Sequence, residues 1–224
     1  MLTVLHRDDR YVVIDKPPAM AVHPSGHAGD AGPYALHAVR DQVGRHVWPV
    51  HRLDRGTSGV LVFALDPEAN ARLAAAFAAR EVDKRYRAIV RGWVMGSITV
   101  DRPIAGRDAV THLEPLARAE LDTPVGRYPT ARYSLIEARP ETGRLHQIRR
   151  HLAGVDHPVV GDVNHGDRHH NHFFQDALGV HRLLLMARTL TFTQPFSGQR
   201  ITVSAPADAA WYLACAALGF DAEA

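Results

Sequence analysis

The stretch 51–65, HRLDRGTSGVLVFAL, decides how the rest of the chain is read. One carboxylate, Asp54, stands between Arg52 and Arg55. Gly56, Thr57, Ser58 and Gly59 follow, and glycines with small hydroxyl residues permit a tight turn. The apolar run from Val60 to Leu65 then reads as a buried strand. This pattern predicts a polar loop held by a rigid strand, the usual mounting for a reactive side chain. The same residues fit a structural ion pair of Asp54 with Arg52 or Arg55, because structural networks also gather charges. Neither alternative is decided by this stretch.

Upstream, residues 2–5 and 11–15 are apolar runs around the polar HRDDR and read as two strands. Lys16-Pro17-Pro18 stops the second, since proline cannot donate to a ladder. Residues 20–33 read as a loop from their Gly, Pro and Ser content. Tyr34 to Val43 reads as a helix with Leu36, Val39 and Val43 at helical spacing, closed by Gly44. Downstream, Asp66-Pro67-Glu68 has the residues of a helix start, and that helix is expected to run from Pro67 to about Arg80.

Residues 84–91, KRYRAIVR, alternate, with Lys84, Tyr86, Ala88 and Val90 on one face and Arg85, Arg87, Ile89 and Arg91 on the other. Between 97 and 140 the best strand candidates are Thr111–Ala117 and Tyr128–Ala138. Leu145 to Ala153 is predicted helical, with a stripe of Leu145, Ile148 and Leu152 and Gly154 at its end. Arg149 borders that stripe and is placed to reach into a cleft, whereas Arg150 and His151 are expected outside. HPVVGD (157–162) reads as a strand ending in a tight turn, and NHGDRHHNH (164–172) as a loop. Residues 182–187 are expected to be buried, 190–206 to form a hairpin turning near Pro195, Ser197 and Gly198, and 207–218 to form a final helix. Strands without regular βα alternation argue for an α+β fold with a largely antiparallel sheet.

The 224 residues, 46% hydrophobic, suffice for a real core in one domain or one domain with two lobes. There is no apolar run of the ~18 residues a membrane helix needs. The start MLTVLHRDDR lacks the plan of a signal peptide. The lone cysteine, Cys215, rules out a disulfide framework, fits a reducing cytoplasm, and is expected to pack in the core. Net charge is only +2, but it is uneven: residues 80–91 carry five Arg/Lys against two acids, 144–151 carry three Arg and no acid, and the tail from Ser204 is acidic. Two basic clusters suggest a face for phosphates, although a mixed solvated surface explains them as well. The four histidines of 164–172 raise the question of a metal, but no HExxH spacing and no cysteine accompany them, and no metal site is assigned.

Five motifs together resemble the RluA-type pseudouridine synthase family: DKPPAMAVHPSG (15–26), HRLDRGTSG (51–59), KRYRAIVRG (84–92), TGRLHQIRRH (142–151) and HPVVGD (157–162). Arg150 and the HGD turn resemble most the branch that modifies uridine 65 in the acceptor stem of tRNA. The resemblance implies a single catalytic domain over 1–224 without an N-terminal S4 domain, a mixed, mostly antiparallel β-sheet flanked by helices with a central catalytic cleft, and isomerisation of uridine to pseudouridine in structured RNA. It implies Asp54 as the catalytic carboxylate, Arg149 as the arginine that keeps it ionised, and Tyr86 as the ring stacking on the flipped uracil. Arg52 would fill the gap left in the RNA, and Arg55, Arg144 and Arg150 would contact phosphates. Where the family commonly has Leu-His-Ala, this chain has Leu185-Met186-Ala187. No cofactor or metal is implied. The expected partner is tRNA, with ribosomal RNA as the alternative, and the protein is expected to be a cytoplasmic monomer with no membrane partner. Two other classes compete: a catalytically silent RNA-binding protein, which has no need of Asp54, and a metal-dependent hydrolase built on the 164–172 histidines.

Overall fold

The computed structural model describes residues 1–24 and 32–223. Part of the loop expected over 20–33, and with it the end of the 15–26 motif, lies outside the described residues. In chain order the elements are β1 (Val4–Arg7), β2 (Tyr11–Lys16), α1 (Ala35–Val43), β3 (Trp48–Pro49), β4 (Ser58–Ala64), α2 (Pro67–Ala78), β5 (Asp83–Arg91) and β6 (Ile98–Asp101). Then come β7 (Val110–Leu121), β8 (Ala131–Pro140), α3 (Gln147–Ala153), α4 (Arg168–Leu178), β9 (Leu185–Thr193), β10 (Arg200–Ser204) and α5 (Ala209–Leu218). The expected α+β class holds, with a mostly antiparallel sheet.

Two compact units divide the chain: Met1–Lys84 with Ala187–Ala205, and Arg85–Met186 with Pro206–Ala224. In the first, β2 pairs antiparallel with β1 and β4, and β9 pairs antiparallel with β10. Its core gathers Tyr11, Val62, Leu73, Phe192 and Val203. Tyr11 buries its ring there because its hydroxyl donates to the Ala69 carbonyl at 3.0 Å, so no polar atom is stranded. The start of α2 follows the rule read from its sequence: Asp66 caps the Ala69 N–H at 2.8 Å, with Pro67 in the first turn.

In the second unit β8 pairs antiparallel with β5 and β7, and β7 with β6. The alternation of β5 sorts its side chains between two cores. Tyr86, Ala88 and Val90 meet the cluster of Ile136, Ile148 and Leu152, while Ile89 meets that of Phe174, Trp211 and Cys215. Cys215 is packed as expected, and burial pushes its thiol up to about 11. Met186 packs in this second cluster.

Four expectations fail here. α3 starts at Gln147, not Leu145, and Leu145 is 60% exposed. His151, expected outside, is buried because its two ring nitrogens bond Thr111 Oγ1 at 2.9 Å and the Arg102 carbonyl at 3.0 Å. Residues 157–162 contribute only an isolated bridge at Val159 before turning. The expected loop 164–172 becomes helix from Arg168, because Asp167 accepts from the N–H groups of His169 and His170 and so caps α4.

Candidate active site

Asp54 sits in the turn between β3 and β4, half-buried, where its carbonyl accepts from the Thr57 N–H at 3.1 Å. Three things fix that turn from within the first unit. Lys16, fully buried, donates to the carbonyls of Pro17, Met20 and Arg55 at 2.9, 2.8 and 3.3 Å, tying two loops to one ammonium. His51 Nε2 accepts from the Val62 N–H at 3.2 Å, and its ring stacks on Phe77 at 4.7 Å. Desolvation, aided by the charge of Lys84, pushes this imidazole down to about 3, so it stays neutral and can go on accepting. Gly59 holds φ at +108°, and a Cβ there would lie 2.2 Å from the Ala187 carbonyl oxygen. Only glycine allows β4 to run so close to its neighbour. Arg52 and Arg55 are exposed, and Arg55 Nε donates to the Ala19 carbonyl at 3.0 Å.

The second unit holds the other assigned residues. Tyr86 lies half-buried on β5. Arg149, 7% exposed in α3, donates through Nε and Nη2 to the two oxygens of Asp162, both at 2.7 Å. The backbone N–H groups of Asn164 and His165 also donate to Asp162 Oδ1, at 2.9 and 3.0 Å. These partners hold the Asp162 carboxyl below its ordinary value against the opposing effect of its burial. Asp162 was not singled out from the sequence. The available signal was the Asp-x-Asn-His run after a glycine, which reads as a side chain bonding its own backbone two residues on. Arg144 is half-exposed, its Nε donating to the Asp108 carbonyl at 2.9 Å, and Arg150 is exposed.

The basic run of β5 is largely matched by acids. Arg87 pairs with Glu137, Arg85 lies 3.9 Å from the same carboxylate, and Arg91 meets Asp167 at 2.7 Å. The histidines of 164–172 also have local duties: His165 bonds His146 at 3.1 Å and His170 bonds the Tyr133 hydroxyl at 2.9 Å. Among the described residues no group of three or more His, Cys, Asp or Glu is arranged to hold a metal ion.

A family model described as RNA pseudouridylate synthase matches residues 10–154. A protein of Vibrio parahaemolyticus named tRNA pseudouridine synthase C is 40% identical, over 94% of this chain and 92% of its own. One of the same name from Salmonella typhimurium is 42% identical, over 98% and 91%. The solved structure titled Human RNA Pseudouridylate Synthase Domain Containing 4 superposes with a TM-score of 0.73 at 24% identity, over 98% of this chain and 94% of that one, and so shares the fold.

Proposed function

The chain belongs to the RNA pseudouridylate synthase family, and from that premise we propose that it isomerises uridine to pseudouridine in tRNA, at uridine 65. The observation that carries this reading is the 42% identity over 98% of the chain to a protein named tRNA pseudouridine synthase C. The N1–C1′ bond of the uridine breaks, the uracil turns, and C1′ joins C5. The proton lost from C5 is matched by one gained at N1, so nothing is oxidised and no cofactor enters.

In this reading Asp54 supplies the carboxylate. Its half-burial on a turn fixed by buried Lys16 and by Gly59 suits a group that must meet a substrate in one orientation. In the same reading Arg149 takes the role of the site's arginine, and Tyr86 stacks on the extruded base, an interaction worth about 1–3 kcal/mol. Exposed Arg52 fills the place the base leaves. Arg55, Arg144 and Arg150 hold phosphates, which position RNA without reading it. Residues 1–224 act as one catalytic domain, in a cytoplasmic monomer; among the described residues no helix is long and apolar enough to cross a membrane.

The experiment supplies tRNA transcripts tritiated at uridine C5 in the presence of EDTA, with mapping of the modified site. C5 loses its proton only when the new carbon–carbon bond forms. Release at uridine 65 is expected. Release from ribosomal RNA alone would move the substrate, and no release from either would end the isomerase reading.

A further inference from the structure

The second unit contains a cavity of about 720 Å³ that none of the residues assigned to the reaction lines. Its walls come from the tip of the β7–β8 hairpin, Val125 to Tyr128, and from Arg91, Asp167, His169 and His170. The volume is that of a small-molecule or single-nucleotide site.

The tip is built rather than loose. The Val125 N–H donates to the Tyr128 carbonyl at 3.1 Å and the Tyr128 N–H to the Val125 carbonyl at 3.4 Å, around Gly126 at φ +62°. Val125 is buried in the same core as Phe174 and Trp211, which anchors the turn. Gly126 faces α4: a Cβ on it would lie 3.5 Å from the His169 ring. The two residues that this anchoring presents are both exposed. Tyr128 shows 46% of its surface, and the Arg127 guanidinium lies 5.0 Å from its ring centroid while donating to its hydroxyl at 2.8 Å. Among the described residues Arg127 has no carboxylate partner. Arg91 is a second cation, fixed by Asp167 at 2.7 Å. The exposed His169 ring, also in the lining, adds hydrogen-bonding capacity. Of the acids on the hairpin, Glu120 is already held by Thr130 and Arg132, and Asp122 is exposed.

An exposed ring carrying a guanidinium without a carboxylate partner, at the rim of a cavity of nucleotide size, has the chemistry by which unpaired bases and their phosphates are bound. We propose that this cavity is a second RNA subsite, which takes one unpaired nucleotide of the substrate RNA, its base stacked on Tyr128 and its phosphate held by Arg127. The inference rests on the RNA-modifying reading above and adds a contact to it outside the reacting uridine.

The test measures equilibrium tRNA binding at several salt concentrations for the wild type, Tyr128→Ala, Tyr128→Phe and Arg127→Gln, with tritium release followed on the same preparations. Tyr128→Ala is expected to weaken RNA binding about tenfold, and Tyr128→Phe, which keeps the ring, to retain most of the affinity. Arg127→Gln is expected to reduce the slope of log affinity against log salt by about one. Both side chains are exposed on a turn anchored by Val125, so the variants keep the fold. Affinities for Tyr128→Ala and Arg127→Gln within about twofold of wild type overturn the subsite. So does a Tyr128→Phe variant as weak as Tyr128→Ala. Free uridine monophosphate is the second probe: if it saturates the cavity while the variants bind tRNA normally, the site is for a small molecule and the proposal falls. Tritium release judges the isomerase reading separately. Bound RNA without release ends that reading alone, and normal affinity in variants that still release tritium ends the subsite alone.

Discussion

The turn that carries Asp54 and the turn that carries Asp162 are made by one steric device and differ in how far they expose their carboxylates. In each unit a glycine at positive φ is pressed against a carbonyl: Gly59 against Ala187, and Gly161, at φ +80°, against Arg182, where a Cβ would lie 2.0 Å from the oxygen. Each glycine lets an aspartate-bearing turn sit tightly on its neighbour. Asp162 is then closed off by two guanidinium and two backbone N–H donors and is 1% exposed. Asp54 is left half-exposed on a turn whose rigidity comes from elsewhere, from Lys16 and His51. A carboxylate closed away from solvent serves the fold, and one left half-exposed can face a substrate.

The widest separation between the two comes from paired substitutions. Asp54→Asn is expected to abolish tritium release, to leave RNA binding largely intact and to move the denaturation midpoint little. Asp162→Asn, or Arg149→Ala, breaks a buried pair and is expected to cost about 3–5 kcal/mol of stability, read from urea midpoints. The double variant Arg149→Ala/Asp162→Ala is expected to cost much less than the two single losses added, as groups in one network are not additive. Equal losses of stability from Asp54→Asn and Asp162→Asn would erase the distinction. Next in size, Gly59→Ala and Gly161→Ala combine a clash with a backbone strain and are expected to cost about 2–4 kcal/mol each. A loss at only one of them would show that the shared device is not shared.

The gentlest probe is pH. The His51 imidazole is lowered to about 3 by desolvation, so its contribution to stability is full above the unfolded value of about 6.5 and is lost as pH falls below it. Asp162 is likewise held below its ordinary value, by Arg149 and backbone N–H groups, and its contribution is lost only as pH falls below about 4. Denaturant midpoints are therefore expected to decline first below about pH 6.5 and again below about pH 4. Buried His151 and His170, both also lowered by desolvation, add to the first limb. In His51→Asn the first decline should shrink and the second remain.

Much of this architecture is written locally. Asp66-Pro67-Glu68 marks the start of α2, Gly44 ends α1 in the left-handed conformation, and the alternation of 84–91 is the alternation of β5. The stretch 51–65 reads correctly as a polar turn feeding a buried strand. What escaped the sequence is polar burial. His151, His170, Asn171 and Asp162 look like surface residues until their partners are known, and those partners lie elsewhere in the chain: Thr111, Tyr133, Gly161 and Arg149. The burial of His170 and Asn171 breaks the hydrophobic period that would have revealed α4. Leu145 misleads in the opposite way, since its spacing fits a helix that begins only after it.

The division of the chain has a consequence for its synthesis. Each compact unit is made of two separate segments, those of the first lying far apart in sequence, with crossings after Lys84, Met186 and Ala205. Leu190, Phe192, Ile201 and Val203 complete the same core as Tyr11 and Val62. A growing polypeptide therefore has most of the first unit's strands in hand long before the pair that finishes their core. Until β9 and β10 emerge, β2 and β4 wait with an apolar face uncovered, the kind of incomplete sheet that chaperones attend. Truncation after Met186 would leave that waiting state permanent, so neither unit can be cut out as a contiguous fragment.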